Sequence, residues 1–116
     1  MSNIGIKMAK MMHKNWVSTL KLAFKGQASV NETELYSYEN CEFGKWIYSE
    51  GVVEYGDQVS MRLMEKIHVQ LHRDVRKMFA YEKEGNVHGR DKMMRKIELT
   101  SQEMMKLLVE LEEANK

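Results

Sequence analysis

His68 and His72 stand four residues apart in the run Met64-Glu65-Lys66-Ile67-His68-Val69-Gln70-Leu71-His72. On a helix that is about one turn, so both imidazoles share a face, with Cβ atoms roughly 6 Å apart. Two nitrogens at that spacing can hold one metal ion. Met64, Leu71 and Val75 lie on the same face, which turns the pair toward a core rather than toward water. Two further residues extend the donor set. His13 sits in an apolar stripe near the N-terminus, and Cys41, the only cysteine, precedes Phe43 and Trp46. A closed zinc site takes four ligands, mainly Cys and His, in a tetrahedron. Spacing alone leaves two readings open: core histidines beside an inert cysteine, or one shared metal. His88 stands apart between Gly85 and Gly89 and reads as solvated.

The elements that must position these residues are helical. Ala9, His13, Trp16, Val17, Leu20 and Phe24 recur at helical spacing and predict a first helix from about Ile4 to Lys25, ended by Gly26. Gly26 to Thr33 reads as a loop. The stretch Tyr38 to Tyr48, closed by Gly51, reads as a short helix that Gly44 weakens. Gly56-Asp57 opens a long helix to about Glu84, with Met61, Met64, His68, Leu71, Val75 and Met78 on its inner stripe. Gly85 to Gly89 reads as a turn. A last helix from about Arg90 to Glu113 carries Met94, Ile97, Met104, Leu108 and Leu111 inward. Three long helices and one short one predict an all-α, four-helix-bundle-like fold forming a single domain over residues 1–116. Ile4, Met8, Met11 and Leu22 on the first helix, and Met93, Met105 and Val109 on the last, lie off the inner stripes. With eleven methionines in the chain, this surplus suits an adaptable interface and predicts a homodimer.

Composition narrows the function classes. The 116 residues and 43% hydrophobic content suffice for one core, and the absence of proline favours helix. Eighteen basic and 17 acidic residues nearly cancel, and no basic stripe interleaved with aromatics argues for nucleic acid. Apolar runs fall far short of the ~20 residues that span a bilayer, and the N-terminus lacks a signal-peptide core. The expected location is cytoplasmic, without membrane insertion. A lone cysteine excludes an internal disulfide.

Three blocks, His13-Lys14-Asn15-Trp16, then Cys41-Glu42-Phe43-Gly44-Lys45-Trp46-Ile47-Tyr48, then His68-Val69-Gln70-Leu71-His72, resemble the signatures of the chemoreceptor zinc-binding (CZB) domain family in order and separation. The resemblance covers nearly the whole chain, from about Met8 to the last helix. It implies a four-helix bundle holding one Zn2+ through His13, Cys41, His68 and His72. It also implies a regulatory role in bacterial signalling, toward a chemoreceptor in chemotaxis or a diguanylate cyclase in cyclic-di-GMP control. Homodimers and, for some members, responses to oxidants belong to the same expectation. The family's domain is usually fused to a signalling region, for which this chain leaves no room, so the resemblance implies a stand-alone member acting in trans or a fragment.

The residues favour a sensor over an enzyme. Four protein ligands leave no open position for an activated water. The zincin motif needs Glu directly after the first His, where this chain has Val69. A di-iron bundle needs two Glu-x-x-His motifs, and only Glu65 with His68 supplies one. A haemerythrin-like oxygen site, by family analogy, wants more histidines and bridging carboxylates. Cys41, on a short segment after a loop, is the expected movable and redox-responsive ligand, with the histidines as anchor. Gly44 is expected to let that segment pack closely, and Trp46 to roof the site. The competing reading is a structural helical adaptor in which zinc only stabilises the bundle.

Overall fold

The computed structural model describes residues 4–116; the side chain of Ile4 lies outside the described residues. The described residues form six α-helices and one π-turn, in order α1 Ile4–Phe24, α2 Glu32–Tyr36, α3 Glu42–Trp46, the π-turn Ile47–Gly51, α4 Val52–Tyr55, α5 Val59–Lys83 and α6 Val87–Ala114. No strand occurs among the described residues. The molecule is an elongated all-α bundle of 49 × 21 × 17 Å, built on the antiparallel pair α5 and α6, with α1 lying against α6 and α3.

The long helices bury the stripes their spacing predicts. Ala9, Trp16 and Leu20 of α1 are buried, as are Met61, Met64, Leu71, Val75 and Met78 of α5 and Met94, Ile97, Met104, Leu108 and Leu111 of α6. Val17 and Phe24 are half-buried against this core. Two chain reversals use glycine in the left-handed region, Gly26 at φ +72° and Gly85 at φ +73°, where a Cβ would be strained. After each, a backbone N–H reaches back to satisfy the last turn: Gln27 donates to the Leu22 carbonyl, and Asn86 to that of Tyr81, both at 2.9 Å.

Three elements differ from the periodic pattern, each for a local reason. Helix α2, expected as part of a loop and its continuation, forms because Asn31 caps it, its side chain accepting from Glu34 N–H. It rests on α5 through buried Leu35. The short element starts at Glu42 rather than Tyr38 and runs on beyond Tyr48. From Glu42 to Tyr55 the chain stays helical, and Gly51 sits inside it in right-handed helical geometry. A Cβ on Gly51 would crowd the Trp46 ring at 3.0 Å, so glycine serves packing there rather than termination. Helix α6 begins at Val87 rather than Arg90 because Asn86 caps it through Gly89 N–H. His88 is accordingly an exposed residue of its first turn.

Polar pairs tie the helices together. Lys10 of α1 meets Glu112 of α6 at 2.7 Å. Gln58 and Asn115 exchange two amide hydrogen bonds, at 3.0 and 2.9 Å, between the start of α5 and the end of α6. Among the described residues, no helix is long and apolar enough to cross a membrane.

Candidate metal centre

Cys41 Sγ, His68 Nε2 and His72 Nε2 converge in the core. The sulfur lies 3.4 Å from each nitrogen, and the nitrogens are 3.2 Å apart. All three residues are at most 1% exposed, and among the described residues they form a group able to hold a metal ion. Helix α5 supplies both rings from successive turns. Cys41 arrives as the N-cap of α3, its sulfur accepting from Gly44 N–H at 3.2 Å. His13 lies in the same aromatic cluster but outside this triad. Its Nε2 is 2.7 Å from Ser101 Oγ and 3.3 Å from the Ser101 carbonyl, on α6.

The protons of the triad can be counted. His72 Nδ1 lies 2.8 Å from the Leu35 carbonyl. A carbonyl only accepts, so Nδ1 carries the proton and Nε2 presents a lone pair to the centre. His68 Nδ1 is buried without a hydrogen-bond partner. Whichever tautomer His68 takes, that atom is an unsatisfied donor or acceptor, at a cost of about 1–3 kcal/mol. Two imidazole nitrogens and a sulfur crowded together with so few protons between them suit a cation better than one another. Imidazole and thiolate select zinc over magnesium or calcium, so these residues fit a zinc ion.

Electrostatics prepares the histidines and not the cysteine. Burial pushes His68 down from 6.5 to about 3, with repulsion from His72 and His13 adding to it. Burial lowers His72 and His13 to about 4, partly offset by their hydrogen bonds to Leu35 and to the Ser101 backbone. All three rings are therefore neutral at pH 7, the form that ligates. Burial pushes the Cys41 thiol up to about 11, against the opposing pull of the Gly44 N–H.

The wall of the site is aromatic. Phe43 lies edge-on to His68 at 5.3 Å between ring centroids and tilted to His13 at 5.6 Å. Trp16 meets His72 edge-on at 5.4 Å. Trp46 stacks behind Phe43, at 6.0 Å and 8°, one layer farther out than the roof position expected of it. Gly44 does allow the close approach: a Cβ there would collide with the Tyr38 carbonyl and sit 3.2 Å from Cys41 Sγ. Gly44→Ala should destabilise the protein by about 1–3 kcal/mol, the usual cost of overpacking. Urea denaturation measures it, and a loss under 0.5 kcal/mol would show that the approach is not tight.

The model of the chemoreceptor zinc-binding domain matches residues 13–79, more than half of the chain. The chain belongs to the CZB domain family. The matched segment begins at His13 and contains Cys41, His68 and His72. No curated protein and no solved structure matches the chain. All of α6, including Ser101, lies beyond the CZB match. Spacing could not have found two contacts of this CZB domain, since Ser101 is 88 residues from His13 and Leu35 is 37 from His72.

Proposed function

We propose that this CZB domain is a zinc-responsive regulatory module of bacterial signalling, with one Zn2+ held by Cys41, His68, His72 and His13. The observation that carries the reading is the buried triad, whose three donor atoms lie 3.2–3.4 Å apart. Zinc, when bound, supplies the positive charge that holds Cys41 as thiolate. His72 is kept in its ligating tautomer by Leu35, and Phe43 and Trp16 exclude water. A closed set of four protein ligands suits sensing rather than hydrolysis.

Cys41 is fully buried, unlike the exposed cysteines that sense oxidants. Zinc rather than an oxidant is therefore the proposed signal. The proposed output is a chemoreceptor or a diguanylate cyclase, reached from a homodimer. Support for the dimer comes from the exposed Met8, Met11, Leu22 and Val109; Met93 and Met105 pack partly against the core.

Native mass spectrometry of the zinc-loaded protein tests both parts of the proposal. The expected species has two chains and two zinc ions. His68→Ala/His72→Ala should retain less than a tenth of the zinc. Wild-type zinc content in that double variant would sink the site, and a monomer at micromolar concentration would sink the dimer.

A further inference from the structure

The outer side of α5 carries charge that the fold does not use. Between Arg62 and Lys77 five basic side chains, Arg62, Lys66, Arg73, Arg76 and Lys77, are all exposed, and the two acidic ones are not. Asp74 is buried, with its Oδ2 3.3 Å from Lys96 Nζ. Glu65 is half-buried beside the Tyr48 hydroxyl. Every exposed charge on this stretch is therefore positive, in a chain whose net charge is only +1. Among the described residues, none of the five cations makes an ion pair. Arg62 with Lys66, and Arg73 with Lys77, are like charges four residues apart, a spacing that costs helix stability. Nothing inside the molecule offsets that repulsion, so an anion outside it is the natural complement. Three of the cations rim an open cleft of about 580 Å³: Arg62, Lys66 and Arg73 line it together with Ile67, Val69 and Gln70. Ile67 and Val69 are half-buried and form its apolar part. From residue 62 to residue 73 the cleft follows α5 for about 16 Å, three helical turns.

We infer that this cleft docks an acidic amphipathic helix of a partner protein, with apolar side chains against Ile67 and Val69 and carboxylates facing Arg62, Lys66 and Arg73. A helix laid in a groove anchors through residues three and four apart, and three turns give it room for such anchors. The lining separates this occupant from other polyanions. None of the described lining residues is aromatic, so unpaired bases have nothing to stack on. A membrane-binding face projects large apolar side chains, whereas Ile67 and Val69 are less exposed than the cations around them. The cleft lies on a different helix from the exposed methionines of α1, so a dimer formed there leaves it open. Ile67 and Val69 flank His68 in sequence, and α5 buries His68 and His72 on its other side. The helix that supplies two candidate ligands is thus the one that meets the partner. The docking inference goes beyond the zinc reading and stands without it.

Fluorescence anisotropy tests it with a fluorescein-labelled model helix, leucine at every third or fourth position and glutamate elsewhere. A scrambled peptide of the same composition, phosphatidylglycerol vesicles and a DNA duplex serve as competing probes. The full chain should bind the model helix more tightly than the scrambled peptide, and added salt should weaken that binding. Arg62→Gln/Lys66→Gln/Arg73→Gln should weaken it roughly tenfold, through the loss of three charge contacts. That variant relieves both like-charge pairs and should melt no lower than wild type. Lys7→Gln/Lys14→Gln/Lys21→Gln changes the net charge equally on α1 and should bind as wild type does. In wild type, amide shifts on adding the model helix should centre on residues 62–73, a readout that needs no variant. Equal weakening by the two triple variants, or shifts spread over α1 and α5 alike, would reduce the effect to net charge and overturn the inference. So would equal binding of the scrambled peptide, or no binding of the model helix. Tighter binding of vesicles or DNA, lost in the α5 variant, would assign the face to a membrane or a nucleic acid instead. Zinc uptake measured on the same samples reports on the metal site separately, since none of these substitutions touches a candidate ligand.

Discussion

Zinc added to the metal-free protein at pH 7.5 should raise its melting temperature by on the order of 15 °C and release close to one proton per ion bound. The stabilisation follows from mass action: free ligand at 1,000 times its Kd adds about 4 kcal/mol. For a chain of this length each kcal/mol is worth about 4 °C. The proton count follows from the site. His13, His68 and His72 are already neutral, held at about 4, 3 and 4 by burial, so they have no proton to lose. Cys41, pushed up to about 11, is fully protonated and must lose its one. Calorimetry in buffers of different ionisation enthalpy gives the number; a value near zero would mean that Cys41 does not ligate. Cys41→Ala should lose most of the thermal gain. The same melt separates a sensor from a structural staple. The buried core runs from Ile6 of α1 to Leu111 of α6, with Leu20, Met78 and Ile97 among the residues between, so it extends well beyond the triad. A folded metal-free bundle with a lower melting point is therefore expected. Global unfolding on chelation at 25 °C would favour the staple.

The metal-free protein should also be acid-labile, with stability falling steeply between pH 6 and 4. Each of the three histidines has a folded pKa below its ordinary 6.5. Below pH 6.5 the unfolded chain binds protons that the folded protein refuses, so stability is complete above that value and drains away as pH falls toward the folded values. One group contributes up to about 1.4 kcal/mol per pH unit, and three together about 4. Over the two units down to pH 4.5 that removes about 8 kcal/mol, against a total of about 5–15 kcal/mol for a domain, so most of the stability should be gone by then. Denaturant titrations at pH 7, 6 and 5 measure it, and a midpoint unchanged from pH 7 to 5 would refute the burial of neutral rings. Zinc should move the acid transition to lower pH until protons displace the metal.

The helix stripes were legible because α1, α5 and α6 keep one apolar face over many turns, and Gly26 and Gly85 end α1 and α5 with a geometry only glycine takes easily. The pair His68 and His72 was legible for the same reason, since four residues on a helix fix a distance. Cys41 could be suspected from its type but not placed, because its position depends on Gly44 packing against the Tyr38 carbonyl. Helix α2 escaped because five residues have too little periodicity to show. It exists through a cap at Asn31 and two tertiary hydrogen bonds: Trp16 Nε1–H donates to the Glu34 carbonyl at 2.8 Å, and His72 Nδ1–H to that of Leu35. The short helix was legible over Glu42–Tyr48, but its continuation to Tyr55 escaped because Gly51 looks like a breaker in one dimension and acts as a close-packing position in three. The contact of Ser101 with His13 was invisible because 88 residues separate them.

The sulfur of Cys41 is also the atom on which α3 starts, since it accepts the Gly44 N–H as the helix cap. Anything that draws electron density from that sulfur therefore alters two things at once: the donor offered to a cation and the anchor of the first turn of a helix. The Phe43–Trp46 stack rides on that turn. One buried atom is thus shared between the binding of a cation and the start of the helix that carries Phe43 and Trp46.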